Sequence, residues 1–168
     1  MNNLITTNII RFTGLMALQI LIFNQLNFLD FLNPFVYVLF ITLLPISLNK
    51  TSLIFISFLT GFFIDLFLDT GGVHAAATVS IGYLRPIALK FSFGAAYEYQ
   101  SIKINDSERY QRLSYFTLMI MIHHFILFSL IYFSLKKINL IIFHTILAGL
   151  FSLIISILLY TLFKEKND

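Results

Sequence analysis

"GFFIDLFLDTGGVHAAATVSIGYLRP", residues 61–86, lies in an almost wholly apolar neighbourhood yet carries Asp65, Asp69, His74 and Arg85. A charge at the centre of a bilayer costs at least about 2.5–3.5 kcal/mol, so each of these residues needs a physical reason. Of the 168 residues, 58% are hydrophobic and 11% are charged, whereas an ordinary soluble domain is about a quarter charged. Such a chain takes the bilayer as its solvent. In lipid the backbone must pair within a helix or in a closed barrel, and no alternating pattern supports a barrel. The expected fold class is therefore all-α, with the chain forming a single integral membrane domain.

Working outward from this stretch, six apolar segments can be marked, at about 8–24, 34–48, 52–68, 73–93, 113–135 and 140–163. They predict a six-transmembrane helix bundle. Asn33-Pro34 reads as the start of the second helix, an N-cap residue followed by proline at the first helical position. That helix is short, roughly 21 Å long against a hydrocarbon core of about 30 Å. The fourth helix contains Pro86 and is too short to span if it stops there, so a kinked helix continuing to about residue 93 is expected.

Lys and Arg set the orientation. A cytoplasmic N-terminus places Arg11, Lys50, Lys90, Lys103, Arg109, Arg112, Lys164 and Lys166 inside and leaves only Lys136 and Lys137 outside. Both termini and the loop 92–112 are then cytoplasmic, and the outer turns around Asp30, Thr70 and Lys137 are small. Without tryptophan, Tyr37, Tyr97, Tyr99, Tyr110, Tyr115, Tyr132 and Tyr160 are the candidates for an interfacial belt. The first apolar run has no small-residue cleavage site, so no cleaved signal peptide is expected. The absence of cysteine excludes disulfides and thiolate metal sites. The net charge of +3 is distributed by side and forms no nucleic-acid patch.

Gly61, Asp65 and Asp69 have the spacing G-x3-D-x3-D, which puts both carboxylates on one helix face. This is the second half of the signature of CDP-alcohol phosphatidyltransferases. The first half, D-G-x2-A-R, is missing, and "LPISLNKTS" (44–52) stands in its place. The topology also puts the pair near the outer surface, whereas nucleotide-linked substrates are cytoplasmic. No catalytic residues, metal or cofactor are therefore expected. Asp69 reads as a solvated end residue before the Thr70-Gly71-Gly72 turn. Asp65, about 7–8 Å below the helix end, reads as a carboxylate locking the third helix to the fourth; a proton or ion site is the alternative. Its candidate partners are His74, the N–H groups of Gly71 and Gly72, and Arg85. Arg85 lies roughly 9 Å deeper and is expected to snorkel toward the interface beside Lys90. The motif between the third and fourth helices thus comprises Gly61, Asp65, Gly71, Gly72, His74, Arg85 and Pro86.

"HAAATVSIG" (74–82) offers small residues for close helix packing. Ala148, Ser152 and Ser156, with Thr145 and Gly149 beside them, form a second small-residue ladder. It serves either internal packing or a partner face. His123 and His124 point about 100° apart on a helix and do not chelate as a pair. His144 stands alone in the sequence.

Three stretches carry a resemblance to a known family: "NPFVYVLFITLLP" (33–45), the quoted 61–86 segment, and "IHHFILF" (122–128). Together they resemble the MreD family, the small integral membrane component of the bacterial rod-shape machinery. The resemblance implies a fold like that of the membrane-embedded substrate-binding subunits of energy-coupling-factor transporters. It implies no enzymatic activity and a place in the bacterial cytoplasmic membrane. It also implies partners: MreC, and through it the MreB filament, a shape-and-division glycosyltransferase and a class B penicillin-binding transpeptidase. A small-molecule-binding transporter subunit is the alternative, and it needs a polar cavity opening outward near Asp65 and His74. Reporter fusions at Lys103 should report the cytoplasm; an external signal there overturns the orientation.

Overall fold

The computed structural model describes residues 2–26, 33–98 and 104–163. These residues are mostly helical, and no strand occurs among them. Helix α1 (Asn2–Leu21) ends in a short 3-10 turn, and α2 spans only Val38–Leu43. The long helices α3 (Lys50–Leu68) and α4 (Val73–Phe93) follow. A four-residue helix, α5 (Ala95–Glu98), precedes α6 (Arg109–Tyr132) and α7 (Ile138–Phe163). Among the described residues, four stretches are long and apolar enough to cross a membrane: Ile5–Gln25, Lys50–Leu68, Arg109–Tyr132 and Leu135–Leu162. By length and composition this is a membrane protein. Asp30, Tyr99, Lys103, Lys164 and Lys166, which entered the topology and belt arguments, lie outside the described residues.

Helix α4 lies between α3 and α6, and α6 lies between α4 and α7. The contacts run in opposite directions along each pair. Gly61 meets α4 around Ala75, whereas Gly82 meets Ser57 of α3. His124 bonds Ser152, whereas Phe116 packs on Tyr160. These are antiparallel hairpins joined by short turns. Helix α1 attaches through Phe12, whose ring lies 5.1 Å from Phe40 of α2 and 6.1 Å from Phe63 of α3.

The second segment differs from the 34–48 helix expected from sequence. Only Val38–Leu43 is helical, about 9 Å at 1.5 Å per residue. Asn33 does not cap it; its side-chain oxygen is buried without a hydrogen-bond partner. The reason is local. A residue before proline is pushed to an extended backbone, and here the next two N–H groups are claimed from outside the segment. Phe35 N–H donates to Ser152 Oγ at 2.9 Å, and Val36 N–H donates to Gln19 Oε1 at 2.8 Å. At the other end Pro45 cannot donate and forces Leu44 out of the helix, as the Leu44 backbone shows (φ −54°, ψ 150°). Every residue from 34 to 44 is buried. The segment is a strap through the middle of the bundle, and α2 touches α1, α3, α4 and α6.

The small residues let α3 and α4 close on each other. A Cβ on Gly61 would lie 2.5 Å from the His74 carbonyl oxygen and 2.6 Å from Ala75 Cα. Both are backbone atoms that cannot swing away. Gly149 of α7 is also crowded, but by Met121 Sδ at 2.8 Å, the far part of a flexible side chain. Gly61→Ala should therefore lower unfolding stability in mild detergent by about 1–3 kcal/mol, the usual cost of overpacking. Gly149→Ala should cost clearly less. Equal losses in thermal or denaturant unfolding would contradict the close α3–α4 approach.

Candidate functional site

The α3–α4 turn needs two glycines for a backbone reason. Gly71 and Gly72 have φ of +65° and +98°, a region that L side chains rarely adopt. Gly72 is the N-cap of α4 and has no side chain to offer the first helical N–H groups. Asp65 supplies the cap from the other helix. Its Oδ1 accepts from His74 N–H at 3.0 Å and from the Thr70 hydroxyl at 2.6 Å, and its Oδ2 accepts from Ala75 N–H at 2.8 Å. These are the second and third N–H groups of α4, the ones an N-cap side chain ordinarily takes. The carboxylate also faces the positive end of the helix dipole. Asp65 is buried, and among the described residues it has no cationic partner. Asp69 is exposed at the left-handed C-cap of α3.

Arg85 does not snorkel. It is 2% exposed and sits at the centre of the bundle. Its Nε donates to the Tyr115 hydroxyl at 2.8 Å, and Nη1 donates to Pro45 O at 3.3 Å. Nη2 donates to the carbonyls of Thr42, at 3.4 Å, and Leu44. Tyr115 in turn donates to Thr42 O at 3.1 Å. The carbonyls at the end of a helix lack intrahelical partners, and the kink at Pro45 adds more. The planar guanidinium, with its five donors, meets several of them at once. Each of these carbonyls would cost about 1–3 kcal/mol if left bare in the bundle, and meeting them is what Arg85 does by turning inward. Pro86, beside it, lies inside α4, which continues to Phe93.

At the turn end of the same strap, the Tyr37 hydroxyl lies 2.7 Å from His74 Nδ1 and 2.9 Å from His123 Nε2. A single hydroxyl proton serves one imidazole, and the other imidazole must donate its N–H to the phenol oxygen. His123 Nδ1 is left buried without a partner. His124 is committed elsewhere. Its Nδ1 donates to Ile120 O at 2.8 Å, so Nε2 accepts from the Ser152 hydroxyl at 2.9 Å. Ser152 Oγ accepts from Phe35 N–H. The Phe35 ring packs at 5.2 Å from His74 and 5.4 Å from His124.

The motif residues Gly61, Asp65, Gly71, Gly72 and His74 therefore gather at the α3–α4 turn, whereas Arg85 belongs to a separate cluster near the other end of α2 and Pro86 only follows it in α4. Sequence reasoning missed Gln19, Phe35, Tyr37 and Tyr115 as parts of the site. Tyr37, Tyr115 and Tyr160 are buried and are not belt residues; the hydroxyls of Tyr37 and Tyr115 serve the strap. Gln19, an amide set among apolar residues in the second half of α1, is an available signal. It accepts from Val36 N–H and donates to Pro34 O at 3.1 Å. The ladder Ala148, Ser152 and Ser156 faces inward. His144 is not alone, since its Nδ1 lies 2.5 Å from the Tyr132 hydroxyl. Among the described residues, no group of three His, Asp or Glu side chains is placed to hold a metal. No family model matches the chain, and no curated protein or solved structure matches it.

Arg85→Lys should fail to substitute, because an ammonium cannot span three carbonyls and a phenol. A loss of about 2–4 kcal/mol is expected from buried carbonyls left open, against about 1 kcal/mol for Tyr115→Phe. Unfolding in mild detergent measures both. Wild-type stability in Arg85→Lys would show that the fork geometry is not needed.

Proposed function

We propose that this chain is a non-enzymatic scaffold subunit of the bacterial cell-elongation machinery, an MreD-type protein of the cytoplasmic membrane. In this reading α1, the strap with α2, α3, α4, α6 and α7 make six crossings, in a fold like that of the substrate-binding subunits of energy-coupling-factor transporters. Both termini and the 92–112 loop face the cytoplasm. MreC is the direct partner, and through it the chain reaches the MreB filament, the glycosyltransferase and the transpeptidase.

The observation that carries this reading is how the polar side chains of the three family-like stretches are used. Asp65, Arg85, Tyr37, His74, His123 and His124 all bond within the bundle: the first five to or within the strap or to a helix end, and His124 to Ser152 of α7. What remains outside is apolar: α3 exposes Phe55, Phe58, Phe62 and Phe63, and α7 exposes Ile146, Leu150, Ile154 and Leu158. A rigid interior with apolar outer faces suits a part that presents helices to lipid and to other membrane proteins. The transporter-subunit reading draws on a different observation, the interrupted second segment, because discontinuous helices often build substrate sites.

In a rod-shaped host that depends on this chain, depletion should turn rods into spheres, and MreC should co-purify with the chain from native membranes. Normal rods after clean deletion would sink the proposal. A small organic molecule retained through purification, together with a nucleotide-driven coupling protein and without MreC, would favour the transporter subunit.

A further inference from the structure

We propose that the seam between α3 and α4 binds one anionic phospholipid of the leaflet on the Lys50 side, with the lipid phosphate on the Lys50 ammonium and an acyl chain along the aromatic rings below it. The inference rests on the chain crossing a membrane and not on the scaffold reading. Lys50 is exposed at the first residue of α3. Gly82 stands opposite Ser57. In this antiparallel pair Lys50, about two turns before Ser57, is therefore level with Leu89, about two turns after Gly82. Yet Lys50 Nζ lies 4.1 Å from the centre of the Tyr83 ring, and Tyr83 is about 9 Å deeper along α4 than Leu89. A lysine at the end of a membrane helix ordinarily extends its ammonium toward water. This one folds back along the seam and is held on an aromatic face.

The charge at this end calls for an anion. The first turn of α3 has no acidic residue to meet the positive end of the helix dipole, and Lys50 adds charge of the same sign. Among the described residues no carboxylate pairs with Lys50, and no acceptor meets its ammonium donors. Lys90 lies on the same side of α4 as Tyr83, about two turns nearer the helix end, and adds a second cation. A lipid phosphate supplies both the opposite charge and the acceptor oxygens.

The surface below the ammonium fits an acyl chain. Ser57 and Gly61 of α3 meet Gly82 and Ala75 of α4 along the seam. Each residue advances a right-handed helix by about 100°, and in an antiparallel pair this turns the residue after a contact to the same side of the seam on both partners. Phe58, Phe62, Ala76 and Tyr83 therefore border one side, and all four are exposed. The Phe58 and Phe62 rings stack at 5.7 Å, and Ala76, nearly level with Phe62, adds only a methyl group. The strip is apolar along the bilayer core and ends in a cation toward the headgroups. It takes a chain and a phosphate together, as a lipid offers them and a soluble phosphate does not.

The test uses the full chain in nanodiscs that hold equal parts of phosphatidylglycerol and phosphatidylcholine with matched chains, released into native mass spectrometry. Expected is one retained lipid per chain, with phosphatidylglycerol preferred. Lys50→Gln should lower that preference about fivefold, the weight of one basic residue at an anionic surface, and Lys50→Arg should keep it. Tyr83→Leu, which removes the ring that holds the ammonium, should also lower it, whereas Tyr83→Phe should not. Lys136→Gln, at an exposed lysine at the opposite end of the helices, should retain lipid as wild type does. The water-soluble headgroup glycerophosphoglycerol should not displace the lipid. Thermal melting establishes that the variants are folded. If Lys50→Gln does not fold, the wild-type preference and its loss in Tyr83→Leu decide. Equal retention of the two lipids, a preference unchanged in Lys50→Gln, a loss as large in Lys136→Gln, or displacement by the free headgroup each overturns the site.

Discussion

The structure depends on satisfying the backbone of one short segment where water is excluded. Helix α2 has six residues, too few for its end groups to pair among themselves. Each unpaired backbone group in lipid costs several kcal/mol. The groups around α2 are met from other helices: Gln19 from α1, Ser152 from α7, Arg85 from α4 and Tyr115 from α6. Those bonds also fix where the four helices sit. The segment is thus a short helix that ties these four longer helices to one another.

The same logic explains the charges of the 61–86 stretch. Asp65 and Arg85 are not paired with each other. Each meets backbone groups that a helix leaves open, donors at the start of α4 for the carboxylate and acceptors at the end of α2 for the guanidinium. The glycines follow from these roles. Gly71 and Gly72 supply a turn that only positive φ allows, and Gly61 lets α3 approach α4 closely enough for Asp65 to reach across. With its polar groups bonded inward, the bundle turns apolar faces outward, which is the property that links the fold to the proposed scaffold role.

The sequence displays the all-helical class and the start of α4 through strong local signals: the glycine pair before Val73 and the small residues that follow it. Those signals act within a few residues of the feature they mark. The strap escapes the same reading because its bonds are distant in sequence. Phe35 and Ser152 are separated by 117 positions, and Thr42 and Tyr115 by 73. Asn33-Pro34 resembles a helix start in composition, but the N–H groups that follow it are claimed by Gln19 and Ser152. Arg85 misleads for a related reason. Its expected escape to the interface assumes that nothing inside needs a fork of donors, and the need arises only when Pro45 breaks the second segment. Tyr37 and Tyr115 resemble belt residues because they lie near segment ends; only the assembled bundle reveals that those ends are interior.

Hydrogen exchange of the amides in residues 33–49, measured in lipid nanodiscs, tests most directly whether this segment is held as described. The strap account predicts that Phe35 and Val36, although non-helical, are protected to the same degree as the centres of α4 and α6, and that Gln19→Leu selectively weakens the protection of Val36. Exchange of Phe35 and Val36 as fast as that of an exposed turn would contradict it.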